Sequence, residues 1–214
     1  MPISETTMQL DRDLLHRRPD LADALLDSQH GTILHEVSHY TAANADGMIR
    51  GHLIIHASSA RAAAGFVPDD MSAKQLESDP ARWSFVASAG LLAEHHFCGR
   101  TRPACARADI AAHQAVFGLA AADLIIARWK QDHLARIGAL AGCIAANVDR
   151  CFHYCDTNKF LIDGHHVIPS CMLGSPRRRG LPARLDEAVW TYPLKERRRA
   201  LEEFLAAHAG SRRS

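Results

Sequence analysis

The chain is short of several things at once. Aromatic residues make up only 6% of it, a thin supply for a sandwich or barrel, whose strands draw on aromatic and β-branched side chains. Charge of one sign is missing as well: 25 Lys+Arg face 24 Asp+Glu, a net +1, so there is no global polycationic field of the kind that holds nucleic acid. Long hydrophobic runs are absent. The most apolar stretch, Leu119 to Ala127, is interrupted by Asp123 and falls well short of the roughly 20 residues that a membrane span needs. The opening MPISETTMQLDRDLLHRRPD has neither an apolar core nor a small-residue cleavage site, so it does not read as a secretory signal.

What remains is a helix-leaning globular composition. With 214 residues, 47% of them hydrophobic and 23% charged, the chain can bury a sizeable core in one domain, with room for a small appendage. Alanine and arginine are plentiful, which favours helix over sheet. Six cysteines, at 98, 105, 143, 151, 155 and 171, lie inside or beside helical patterns. Disulfide scaffolds are usually shorter and loop-rich, so reduced thiols and a cytoplasmic location are expected. Charge is unevenly spread: Met172 to Ser214 holds ten Lys/Arg against five Asp/Glu, a basic tail on an acidic body. Histidine is in excess at 14 residues, roughly three times ordinary usage.

Pattern and punctuation predict a mainly α chain with a small two- or three-stranded β element. A short amphipathic segment runs from about Met8 to Leu26, and a helix from Ser28 to Ala45 stops at Asp46-Gly47. Met48 to Ser58 suits a strand, and Ala62 to Val67 a second that ends at Pro68-Asp69-Asp70. Four helices are expected over Ala81–Cys98, Arg107–Arg128, Asp132–Phe152 and Pro193–His208, with a turn and short extended piece at Gly164–Ile168. The GSPRRRG stretch from Gly174 reads as a linker. The organisation that follows is an N-terminal helical segment over 1–27, a central domain over 28–171, and a basic linker and helix over 172–214.

The chemistry concentrates in His35-Glu36-Val37-Ser38-His39, an H-E-x-x-H inside the second helical segment. Residues i and i+4 share a helix face, so both imidazoles can reach one metal ion with the glutamate beside them. Two neutral histidines suit Zn²⁺, which lowers the pKa of bound water and lets Glu36 take its proton. Ile33, Leu34 and Val37 supply the apolar surroundings of a half-buried helix. A catalytic zinc takes three protein ligands and leaves a position open. His52, His56, Glu94, His95, His96, Asp109 and His113 are the downstream candidates for the third, and composition does not choose among them.

These residues carry a resemblance. TILHEVSHYTAA resembles the zinc-binding helix of the FtsH-type ATP-dependent metallopeptidases. About fifty residues on, Ser88 to Gly99 (SAGLLAEHHFCG) resembles that family's A-G-x-x-A-E-E-x-x-F-G helix, and Ala106 to Ile110 (ARADI) falls where the family has A-S-N-D-L. Order and approximate separations agree, and the likeness covers about Gly31 to Arg128. It implies a helical, zincin-like metallopeptidase domain holding one Zn²⁺ through His35, His39 and Asp109, with Glu36 as general base. Glu94 matches the first glutamate of the A-E-E pair, which implies that it accepts an N–H from a ligating histidine. The implied reaction is hydrolysis of peptide bonds in unfolded or flexible polypeptides, and the strand around His52 to His56 offers itself to an extended peptide by β-augmentation.

The departures are specific. His95 stands where the family has its second glutamate, Ala104-Cys105 replace threonine-glycine, and Arg107-Ala108 replace serine-asparagine. No Walker A pattern occurs in the chain, so no ATPase module is expected here. The alternative reading is therefore a non-catalytic, peptidase-like binding module or an adaptor for a separate ATPase, and the partner classes are a polypeptide substrate, such an ATPase, or a second copy. Nucleic acid and a membrane span are not expected. Cys143, Cys151 and Cys155 fall near one helix face, as buried structural cysteines do, and His165-His166 reads as an exposed loop pair.

Overall fold

Three helices pack on one another at the centre of the molecule, and each owes its place to a legible local signal. The computed structural model describes residues 10–45, 49–57, 64–118, 120–157, 161–170, 173–174 and 194–209. Their elements are α1 (Arg12–Arg17), α2 (Pro19–Leu26), α3 (Gln29–Ala43), β1 (Gly51–His56), β2 (Gly65–Pro68), α4 (Asp70–Glu77), α5 (Pro80–Cys98), α6 (Pro103–Phe117), α7 (Ala122–Thr157), β3 (His165–Pro169) and α8 (Leu194–Ala209). The expected architecture, mainly α with a small β element, is the observed one.

Ser28 starts α3 by accepting the His30 amide, and Asp79 starts α5 by accepting that of Arg82, each relieving one of the orphan N–H groups of a first turn. Pro80 occupies the first position of α5, and Gly99 closes it in the left-handed region at φ 71°, where a side chain is disfavoured. Every residue of α5 from Phe85 to Glu94 is buried, so it runs through the core rather than along the surface. Ile33, Leu34 and Val37 of α3, Phe85, Leu91 and Leu92 of α5, and Trp129, Ile137, Ile144 and Val148 of α7 form one continuous core. Gly31 lets α3 cross α2 closely: a Cβ there would lie 2.6 Å from Leu26 Cα.

The sheet is antiparallel with the order β2-β1-β3. One face rests on the helical core, and the other is closed by α8, whose Leu201 and Phe204 pack with Ile54, Ile162 and Val167. The helix expected in the C-terminal segment thus covers the sheet. Two clamps tie the helical core to the chain just after β3. Tyr40 donates its hydroxyl to the Ser170 carbonyl at 3.1 Å, and Asn147 on α7 exchanges hydrogen bonds with both backbone groups of Gly174.

Four local expectations need correction. The segment from Met8 to Leu26 is two helices, because Pro19 pushes Arg18 out of helical geometry. The helix read over Arg107–Arg128 is broken at Gly118 (φ 87°), and the gap read before Asp132 does not exist, so α7 runs unbroken from Ala122 to Thr157. Helix α4 was not expected; Asp69 caps it by accepting the Ser72 amide. His165 and His166 are buried on β3 rather than exposed in a loop. Asp46 to Met48, Ser58, Ala62, Cys171, and most of the GSPRRRG stretch with its arginines lie outside the described residues. Among the described residues, no single helix is long and apolar enough to cross a membrane.

Candidate metal centre

The site forms where α3, α5 and α6 meet. Helix periodicity brings His35 and His39 onto the inner side of α3, with Nε2 atoms 3.1 Å apart. Asp109, in the second turn of α6, completes the group. Its Oδ2 lies 3.4 Å from His35 Nε2 and its Oδ1 3.4 Å from His39 Nε2. These three residues, assigned from the resemblance, offer ligand atoms that all lie within 4.8 Å of one another.

The outer ring nitrogens show what the inner ones present. His39 Nδ1 lies 2.7 Å from the Val86 carbonyl, which can only accept, so Nδ1 carries the proton. His35 Nδ1 lies 3.0 Å from Glu94 Oε1 and donates to that carboxylate. When neutral, both rings therefore aim Nε2 lone pairs at one point, with the two Asp109 oxygens beside it. Asp109 Oδ2 is buried without a hydrogen-bond partner. Four acceptors at 3.1–3.4 Å with no donor between them are mutually repulsive. A cation or protons must sit among them. Nitrogen, nitrogen and carboxylate oxygen is a donor set that suits zinc, with three protein positions filled. The formal charges agree: Arg102 offsets Glu94, which leaves Asp109 and Glu36 for a divalent ion to balance.

Without a cation, protons take that role. Burial pushes His35 towards lower pKa, but the carboxylates of Asp109, Glu94 and Glu36 outweigh it and raise the ring well above its ordinary range. His39 is likewise raised, by Asp109 against burial and the neighbouring His35. The same two rings depress Asp109 against its own desolvation. Glu94, fully buried, is desolvated too, and His35 and Arg102 nevertheless hold it below the usual carboxylate range.

Arg102 is the residue that sequence reasoning missed. Its backbone N–H donates to Glu94 Oε2 at 2.7 Å, and its guanidinium lies 2.8–2.9 Å from Glu94 Oε1. The same guanidinium bonds the Gly31 carbonyl at 3.0 Å and Thr32 Oγ1 at 3.2 Å. It therefore locks Glu94, and through it the His35 ring, to the start of α3. The available signal was Glu94 itself: a carboxylate in an apolar run such as SAGLLAEHHFC needs a buried cationic partner. Gly90 is the second omission. A Cβ there would sit 2.5–2.7 Å from the His35 ring, so the glycine makes room for the imidazole.

Glu36 is half-buried on the same helix as His35 and His39, and its Oε2 accepts the Phe66 amide of β2 at 3.1 Å. The remaining candidates fall elsewhere. His52 and His56 lie on β1, His95 and His96 near the end of α5, and His113 on α6 against Phe117 and Trp129. Among the described residues, none of these five joins a metal-capable group. A second such group, His35, Glu94 and Cys105, has both Glu94 oxygens already committed to His35 and Arg102. No described group of this kind includes Cys143, Cys151 or Cys155. The expectation that β1 offers itself to a peptide is also corrected: β1 is the central strand and is bonded on both sides.

No protein-family model matches the chain, and no curated protein or solved structure does.

Proposed function

We propose that the chain is a zinc-dependent metallopeptidase that hydrolyses peptide bonds in unfolded or flexible polypeptides, as the resemblance to the FtsH-type peptidase domain implies. One observation carries the reading: the convergence of the His35 and His39 Nε2 atoms and both Asp109 oxygens in one place, next to Glu36. His35, His39 and Asp109 hold the ion. Zinc, when bound, supplies Lewis-acid polarisation of a carbonyl oxygen and a more acidic water.

The chain's own residues supply the rest. Glu94 keeps the proton of His35 on Nδ1 and so keeps Nε2 free to bind. The Val86 carbonyl does the same for His39. Glu36 takes a proton from the attacking water and passes it to the nitrogen of the departing amine. A reducing, cytoplasmic setting belongs to the same proposal; it is supported by the free thiols of Cys98, Cys105, Cys143, Cys151 and Cys155.

The test is direct. Purified protein is analysed for zinc and incubated with unfolded casein. Near-stoichiometric zinc, with cleavage that disappears in Glu36→Gln while the zinc stays, is the expected result. A protein that takes up no zinc, or that holds zinc and never cleaves, overturns the proposal.

A further inference from the structure

The hydrogen bond between Glu36 and the edge of the sheet has a consequence for how a peptidase of this kind is switched on. Strand β2 is an edge: among the described residues, no strand pairs with its outer side. Register fixes which of its amides face outward. The Asp69 N–H bonds the Arg50 carbonyl at 2.9 Å, one step beyond the Gly51↔Pro68 pair. Antiparallel ladders alternate bonded and non-bonded pairs. His52↔Val67 and Ile54↔Gly65 are therefore the bonded pairs, and Gly51↔Pro68 and Leu53↔Phe66 turn their partners' backbone groups away from β1. Pro68 has no N–H to offer. Phe66 thus carries the one outward amide of β2, and Glu36 occupies it at 3.1 Å.

An extended peptide that adds to this edge needs the same amide for one of its carbonyls. While Glu36 holds that amide, one of its oxygens is engaged and its carboxylate is tied to the sheet edge. We infer that the Phe66 amide is a seat shared between Glu36 and the substrate backbone, so that an extended polypeptide docking on β2 displaces the carboxylate and frees the general base. The packing favours a fixed seat: the Phe66 ring lies edge-on to Tyr40 of α3, 5.6 Å between centroids, and holds the strand against the helix that bears Glu36. The inference rests on the peptidase reading for its consequence, but the competition itself is a matter of binding and can be measured without turnover.

The probe is fluorescein-labelled, reduced and carboxymethylated α-lactalbumin, a permanently unfolded chain. Its binding to the zinc-loaded full-length protein is followed by anisotropy at 4 °C, with probe integrity checked on a gel. A carboxylate holds an amide about twice as strongly as a neutral acceptor does, so Glu36→Gln is expected to bind the probe about fivefold more tightly than the wild type. Adding Phe66→Pro to Glu36→Gln removes the amide and cancels the gain, whereas adding Phe66→Leu retains the N–H and keeps most of it. Proline is tolerated where an edge N–H faces outward, as Pro68 already shows. Should the proline variant not fold, ¹⁵N-phenylalanine labelling gives a second measurement: the Phe66 amide resonance is expected to move both on Glu36→Gln and on addition of the probe to the wild type.

Equal or weaker binding by Glu36→Gln, a Phe66→Pro effect no different from that of Phe66→Leu, or a Phe66 resonance indifferent to the probe overturns the shared seat. A protein that shows this binding pattern but never cleaves sustains the seat and overturns the peptidase reading. One that cleaves without the pattern does the reverse.

Discussion

His35 Nδ1 and Glu94 Oε1 meet at 3.0 Å inside the core, 59 residues apart in sequence. Under the proposed zinc reading, the contact couples metal binding to a buried ion pair, because the same oxygen also takes the Arg102 guanidinium. Two effects are thereby separable. Glu94→Gln removes the charge that orients and enriches the His35 ring and should weaken zinc binding about 10–100-fold. Arg102→Met strands a desolvated carboxylate and should cost about 3 kcal/mol of stability. In the double variant the stranded charge is gone, so stability should largely return while zinc affinity stays low. Zinc titration against a competing chelator, alongside denaturant unfolding, checks both; full recovery of zinc affinity in the double variant contradicts the assignment.

Gly90 and Gly142 make a matched pair. Each sits inside a long helix, where alanine is favoured over glycine by about 1 kcal/mol. At Gly142 a Cβ meets nothing within 4 Å; at Gly90 it meets the His35 ring at 2.5 Å. Gly142→Ala should therefore stabilise the protein by about 0.5–1 kcal/mol with zinc affinity unchanged. Gly90→Ala should lose that gain to an overpacking cost of about 1–3 kcal/mol and displace His35 from the ion. Stoichiometric zinc with wild-type affinity in Gly90→Ala would show that the ring does not depend on that space.

Asp109 separates ligation from charge balance. Its two oxygens each face a different ring, so Asp109→Ala should remove most of the zinc affinity. Asp109→Asn keeps the shape and one acceptor oxygen and should retain a measurable part of it. Equilibrium dialysis of both variants gives the order. Undiminished binding by the alanine variant moves the third ligand elsewhere.

Much of this was legible in the sequence, and each miss has a physical cause. Ser28, Asp79-Pro80 and Gly99 are local signals that act within one turn, and α3 and α5 follow them closely. The H-E-x-x-H pair needed only helix periodicity. Asp109 was reachable only through the order of three blocks, because nothing local distinguishes it from His113 one turn later. Arg102 and Phe66 were harder still. One lies between motifs and acts through a buried partner; the other acts through its backbone amide, which no side-chain pattern records. Helix α4 buries only Ser72 and Leu76, too little apolar surface to leave a period, and the α6–α7 break rests on Gly118 in an alanine-rich stretch where periodicity runs on across it.

The histidine excess makes a prediction of its own, and its sign follows from burial. His30, His95, His96, His113, His133 and His166 all have pKa values lowered, in each case mainly because burial disfavours the charged ring. Near pH 6.5 the unfolded chain binds protons at these six positions that the fold resists. Their contribution is thus fully present above the unfolded value and is lost as pH falls through the lower folded values. His35 and His39 are raised in the metal-free protein and act in the opposite sense, strengthening the fold below pH 6.5 and losing that contribution as pH rises through their folded values. Zinc removes this opposition, since both rings must be neutral to bind it. The zinc-loaded protein should therefore lose stability more steeply between pH 7 and pH 5 than the chelated protein does. His133, packed against Phe85 with a buried and unpartnered Nδ1, isolates one contributor: His133→Leu should flatten part of that loss. Denaturant midpoints at four pH values, with and without chelator, measure all three curves, and a zinc-loaded protein as stable at pH 5 as at pH 7 contradicts the account.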